Sequence, residues 1–239
     1  MRYVSAVAFY GPKKDPLASL LSELQDIVAR SLGRAFRPYV LDQIHGTLIA
    51  LGGASGVNDF YREHRGARKR MDYPAALRML TAALTDPLTV QFGGVAEELG
   101  FSSRGQALRT RCLSEQGGSV VIIGWPTEAF RSSGADRRLD ELRRRMISAN
   151  VLHRYHATPS DVDDDLYMVL GHCHGADLTD VTKAVDAGRG YLAARPTAVT
   201  IQMADVSVVA ADTPTLLPTI RTIPLAQATV ADLIELNGG

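Results

Sequence analysis

The sequence predicts an α+β protein in which two pseudo-symmetric β-α-β-α-β-β lobes carry antiparallel sheets around a central cleft. Three observations lead there. Apolar runs of strand length alternate with segments of helical period along the chain. The second half repeats the order of the first. Matching strings also fall at the same stage of each half: Leu-Thr-Val-Gln-Phe-Gly-Gly-Val at 88–95 against Val-Thr-Ile-Gln-Met-Ala-Asp-Val at 199–206, and more loosely 108–113 against 219–225. The expected organisation is a single bilobal domain over residues 1–239, with an N-terminal lobe at 1–116 and a C-terminal lobe at 117–239.

Residues 3–10 are apolar and β-prone and stop at Gly11-Pro12. Asp15-Pro16 supplies a cap and a first-turn proline, and Leu17, Leu20, Leu21, Leu24, Ile27 and Val28 recur at helical spacing until Gly33. Residues 38–51 read as a strand closed by Gly52-Gly53. A basic stretch containing Arg62, Arg65, Arg68, Lys69 and Arg70 leads to a second helix near 75–84. Strands follow at 88–95 and 107–112. In the second half the pattern gives a strand at 119–125 ended by Pro126, a helix at 136–147 and a strand at 166–171. A helix at 178–192 and strands at 198–210 and 219–225 complete it.

The chain has 239 residues, 46% hydrophobic and 22% charged, which excludes a disordered, collagen-like or disulfide-scaffold protein. Lys+Arg and Asp+Glu are both 26, so no bulk positive field grips a long duplex nucleic acid, and any nucleic-acid ligand is read locally. Cys112 and Cys173 are too few for a disulfide framework and read as reduced thiols of a cytoplasmic protein. No apolar run is long enough for a membrane span. Ala6-Val7-Ala8 mimics a signal-cleavage site, but the apolar stretch before it is too short for a signal core, so a first strand is the better reading. No phosphate loop, dinucleotide fingerprint or nucleophile elbow is present.

The sharpest local signal is His45-Gly46-Thr47-Leu48. On a strand, residues two apart share a face, so an imidazole and a hydroxyl project together. The imidazole moves a proton near neutral pH, and the hydroxyl can hydrogen-bond a non-bridging phosphate oxygen. That pair suits phosphodiester chemistry.

A strand-borne His-x-Thr-hydrophobic motif after β-α, inside a duplicated chain of this length, resembles the 2H phosphoesterase superfamily. That group includes the bacterial RNA 2′,3′-cyclic phosphodiesterases, also called 2′-5′ RNA ligase-like proteins. The resemblance spans roughly residues 3–225. It implies one His-x-Thr/Ser motif per lobe facing across a cleft, one histidine as general base, the other as general acid, and both hydroxyls on the phosphate. It implies no cofactor or metal, and a small nucleotide or RNA terminus as ligand. His45 and Thr47 match the first motif. Aligning the halves by their helices sets Tyr167 and Val169 where the second pair belongs. Tyrosine, of pKa ~10, is a donor and a poor base near pH 7. Valine cannot hold a phosphate oxygen. The partner of His45 is therefore expected to be Tyr167 or a nearby histidine, with His156 of His156-Ala157-Thr158 first in line. The alternative is a catalytically impaired nucleotide- or RNA-end-binding protein. Oligomeric state is open.

Arg109, Arg111 and Arg221 lie on the late strands and are candidate phosphate contacts. Arg137, Arg138 and Arg143–145 lie on the 136–147 helix and read as a solvated face, and the acidic run at 161–165 as a solvated loop. His153, His156, His172, Cys173 and His174 are five possible metal ligands, but their spacing matches no specific zinc motif. His172 and His174 have opposite parity to Tyr167 and face away from the cleft unless a bulge intervenes. Tyr73, Trp125 and Tyr155 are candidate base-stacking aromatics.

Overall fold

β1, Tyr3–Ala8, buries nearly every side chain and becomes the centre of a sheet. The computed structural model describes residues 3–53, 56–66, 68–94, 102–127 and 137–238. The helix α1, Leu17–Leu32, buries Leu17, Leu20, Leu21, Leu24 and Val28, the stripe expected from the sequence. β2 (Phe36–Pro38) and β3 (Gly46–Ala50) follow, then α2 (Asp59–Arg65), α3 (Tyr73–Ala83) and β4 (Leu88–Phe92). A small hairpin, β5 (Ser102–Ser103) and β6 (Gln106–Ala107), precedes α4 (Leu108–Arg111) and β7 (Leu113–Gln116). The second half runs β8 (Ser119–Pro126), α5 (Arg138–Arg145), β9 (Leu166–Cys173), α6 (Leu178–Ala194), β10 (Thr197–Ile201), β11 (Val206–Ala211), β12 (Thr219–Pro224) and α7 (Val230–Leu236).

The fold is α+β with antiparallel sheets. One four-stranded sheet has the order β12-β11-β1-β3; the larger sheet has the order β10-β4-β8-β9-β2, with β7 also paired to β8. The two share a plan. A central strand, β1 or β8, carries the motif-bearing strand β3 or β9 on one side and β11 or β4 on the other. The strands of residues 1–116 and 117–239 are interleaved: β11 and β12 complete the sheet of β1, while β4 joins that of β8. α1 packs on α6, and α3 packs on α5 and α7. Among the described residues, no helix is long and apolar enough to cross a membrane.

Several expected elements take a different form. Residues 108–111 are helical, and Leu108, Arg111 and Cys112, at helical spacing, share the buried face. The segment 198–210 splits into two strands at a 3-10 turn, Met203–Asp205, where Gln202 N–H donates to Asp205 Oδ2 at 2.9 Å. Another such turn, Leu41–Gln43, divides 38–51. The internal string matches do not mark equivalent places either. Residues 88–92 form one strand whereas 199–206 cross from β10 into β11, and residue 95 lies outside the described residues. Likewise 108–111 is a helix and 219–224 a strand. The helix expected at 136–147 is described from residue 138 onward.

Candidate functional site

The site begins at an irregularity in β3. Ser5 pairs with Ala50 and Ala6 with Ile49, but Val7 pairs with Thr47, so Leu48 is an extra residue in the ladder. The bulge turns Thr47 and Ala50 onto one face, and both line a cavity of about 380 Å³ between the two sheets. β9 reaches the same cavity with Tyr167, and the loop before it contributes His153, Arg154 and Tyr155. The motif strands β3 and β9 pack on each other. Gly46 makes that possible: a Cβ there would lie 2.6 Å from Leu166 Cδ1 and 2.8 Å from its Cγ. Gly46→Ala therefore forces the strands apart and should cost about 1–3 kcal/mol in urea unfolding, the range for an overpacked core. A loss under a few tenths would show that Leu166 yields freely.

Arg143 fastens the two motif strands together. It is 1% exposed. Its Nε donates to Leu48 O at 3.0 Å and Nη2 to Thr47 O at 3.0 Å, taking carbonyls at the bulge. Nη1 donates to Asp163 O at 2.8 Å and Nη2 to Asp165 O at 3.1 Å. The Asp163 carboxylate, 3.4 Å from Nη1, supplies countercharge. Arg143 is thus no part of a solvated face. It lies four residues past Leu139 and three before Met146, on the buried stripe of α5.

The acidic run is likewise buried. Asp163, Asp164 and Asp165 are each 2–3% exposed. Asp165 accepts from Ser103 Oγ at 2.6 Å, Trp125 Nε1 at 2.7 Å and Arg111 Nη2 at 2.6 Å. Asp163 accepts from Arg104 Nη2 at 3.0 Å and from His153 Nε2 at 2.9 Å. Burial and the Arg143 charge lower the His153 pKa to about 4, so its ring stands neutral in the cavity wall. Opposed by burial, the bond from His153 and the Arg143 charge still hold Asp163 far below the usual carboxylate range.

Asp164 behaves differently. Its Oδ1 accepts the Asp140 N–H at 2.9 Å, while Oδ2 finds no partner among the described residues. Burial first, and the neighbouring Asp140 charge second, push its pKa up to about 7. The native protein therefore keeps this proton to near pH 7, whereas the unfolded chain releases it near 3.8. The resulting stability is complete below about pH 4 and is lost as pH rises through 7. Asp164→Asn cannot ionise. Its advantage over the wild type should grow between pH 4 and 7 at up to about 1.4 kcal/mol per pH unit, then level off. Urea midpoints at pH 4, 6 and 8 test this, and a pH-independent difference would refute it.

The sequence-predicted residues fall into three groups. Thr47 and Tyr167 meet in the cavity wall. His45 and Val169 are half-buried and do not line it: the alternation of burial around β3, with Ile44, Gly46 and Leu48 buried, keeps His45 on the face of Thr47, and Val169 shares the face of Tyr167 on β9. The His45 Nδ1–H donates to Gln43 O at 2.7 Å, since a carbonyl can only accept, and this leaves the Nε2 lone pair free in the neutral ring. Tyr10 meets the ring edge-on at 5.7 Å. Burial lowers the His45 pKa, with the Gln43 bond opposing and the Lys13 charge adding to the effect. Burial raises that of Tyr167, which keeps its phenolic proton.

The remaining predicted residues lie elsewhere. His156 is fully buried with Nε2 2.8 Å from Asp140 Oδ1, outside the cavity wall; His153 is the histidine that lines it. Arg111 is buried on Asp165, and Arg221 pairs with Asp232 at 2.8 Å and Glu235 at 3.0 Å on β12. Arg109 is exposed on α4. Of the aromatics, Tyr155 reaches the cavity, while Trp125 is buried on Asp165. A β9 bulge at Leu170, between the Val121–Val169 and Val120–Gly171 pairs, does bring His172 to the Tyr167 face. There its ring is held by Tyr39 OH at 2.7 Å and Ser119 Oγ at 2.9 Å. Among the described residues, no group of three or more His, Cys, Asp or Glu side chains is placed to hold a metal ion. Sequence reasoning missed Arg104, took Arg143 for a solvated face and weighed His153 only as a possible metal ligand; their roles depend on the buried carboxylates of Asp163 and Asp165.

No family model matches the chain, and no curated protein matches it. Among solved structures, the chain is similar to TT0787 of Thermus thermophilus, with 13% sequence identity, 95% of this chain and 100% of that one covered, and a TM-score of 0.46.

Proposed function

We propose that the chain is a 2H-type phosphoesterase-like protein whose cleft takes a small phosphodiester, a nucleoside 2′,3′-cyclic phosphate or a 2′-5′-linked nucleotide or RNA end. The observation that carries this reading is the convergence of the two motif strands: Thr47 of β3 and Tyr167 of β9 line one cavity, with His45 on the face of Thr47. In the reaction, water attacks phosphorus and the bond to the leaving ribose oxygen breaks. His45 Nε2 takes the water proton, and the Tyr167 phenol gives its proton to the leaving oxygen. The Thr47 hydroxyl donates to a non-bridging oxygen. Arg154, exposed and without a carboxylate partner among the described residues, balances the phosphate charge. In this reading paired proton transfer and hydrogen bonds supply the chemistry.

A second reading has a specific observation behind it. The cleft face of β9 offers a phenol and an aliphatic side chain where a base and a hydroxyl would complete a symmetric pair. A protein so built binds the phosphodiester without turning it over. Incubating nucleoside 2′,3′-cyclic phosphates with excess protein separates the two. Product formation supports the hydrolase, saturable binding without product supports the binding protein, and no binding overturns both.

A further inference from the structure

Beside the first cavity lies a second, of about 530 Å³, lined by Ser102, Arg104, Arg137, Arg154, Ser160 and Asp161 among others. The two cavities share a wall made of Arg104, Arg154 and Tyr155. We propose that the second cavity is an anion subsite, and that the ligand carries two phosphate groups, one on each side of Tyr155. This deepens, and rests on, the reading of the first cavity as a phosphodiester site.

The charge and rigidity of the shared wall argue for it. Among the described residues, three arginines and one aspartate line the second cavity, and two serines add uncharged donors. The carboxylate, Asp161, already accepts the Thr158 N–H at 2.7 Å. Arg104 is fixed from behind by Asp163 at 3.0 Å and Asp165 at 3.6 Å, and its guanidinium lies 3.2 Å from the centre of the Tyr155 ring. Tyr155 is thereby held as a standing partition. Arg154 lies 5.5 Å from the same ring and borders both spaces, so one side chain can serve either phosphate. A nucleotide whose sugar passes Tyr155 presents its cyclic phosphodiester to Thr47 and its 5′-phosphate, or the next internucleotide phosphate, to the second cavity.

The test is calorimetric titration with adenosine 2′,3′-cyclic phosphate and with the same nucleotide bearing a 5′-phosphate, on the wild type, Arg137→Gln and Ser160→Ala. Both substituted residues line the second cavity and neither lines the first. The 5′-phosphate should tighten binding by roughly 10- to 100-fold, the range for a few charge-assisted hydrogen bonds. Arg137→Gln should remove most of that gain and Ser160→Ala part of it, with affinity for the singly phosphorylated ligand unchanged. Equal affinity of the two nucleotides, or a gain kept in full by both variants, overturns the second subsite while leaving the first-cavity reading standing. Failure of the singly phosphorylated nucleotide to bind overturns that reading itself.

Discussion

Arg143→Met should cost about 3–5 kcal/mol of folding stability, the scale for removing one partner of a buried ionic network. The stem of methionine fills much of the same path, so the loss is chiefly polar. The carbonyls of Thr47, Leu48, Asp163 and Asp165 lose the guanidinium that joins them, and the Asp163 carboxylate keeps His153, Arg104 and the Asp165 N–H. Because Arg143 spans β3 and the entry to β9, the damage falls on the spacing of the two motif strands. Arg143→Lys retains charge but offers three donors from one nitrogen, and cannot reach both strands in one plane. It should recover only part of the loss. A second readout separates electrostatics from packing. The Arg143 charge helps lower the His153 pKa to about 4, so the ring should titrate higher in Arg143→Met, as seen by NMR. A destabilisation below about 1 kcal/mol with an unmoved His153 titration would falsify the bridging role.

The central elements were legible in the sequence because each carries its own periodicity. The α1 stripe from Leu17 to Val28 and the apolar run of β8 report burial locally, and their residues are buried as expected. What escaped was set by distant partners. The strings that looked duplicated, 88–95 and 199–206, share strand-forming composition, yet pairing splits one of them at Gln202 and assigns β4 and β11 to different sheets. Asp163, Asp164 and Asp165 looked like a solvated loop because four carboxylates in five residues repel one another in isolation. The burial of Asp163 and Asp165 depends on Arg104, Arg111 and Arg143, which arrive from 20 to 59 residues away along the chain. In the site, His45 and Thr47 were readable as an i, i+2 pair. The choice of His153 over His156 was not, since both follow the same helix and only the fold decides that His156 meets Asp140 while His153 meets Asp163. One signal was available: Arg143 falls on the same helical face as Leu139, Leu142 and Met146, where a solvated arginine does not belong.

His45→Ala should lower the turnover of a nucleoside 2′,3′-cyclic phosphate by about 10²- to 10⁴-fold, the usual contribution of a positioned general base. The loss should appear in kcat with KM little changed, because the imidazole acts on the attacking water rather than on the bound phosphate. The pH profile carries the sharper information. Burial and the Lys13 charge hold the His45 pKa below its ordinary value. A base must be unprotonated to act, so activity is present above that lowered pKa and falls as pH drops through it. The acid limb of kcat/KM should thus lie below pH ~6.5, the position of an unperturbed imidazole. Lys13 is itself lowered to about 8 by burial and donates to Gly11 O at 2.9 Å. Lys13→Met removes that positive charge, so the acid limb should move up toward the ordinary histidine position while His45 remains in place. A structural role for His45, confined to its bond with Gln43 O, predicts something else: His45→Asn, which keeps an amide donor near the Nδ1 position, would restore activity. If His45→Asn is as inactive as His45→Ala while folding like the wild type, the free Nε2 lone pair is the chemistry lost. If it is fully active, proton transfer by His45 is not part of the reaction, and the cleft holds its phosphodiester by Thr47 and Arg154 alone.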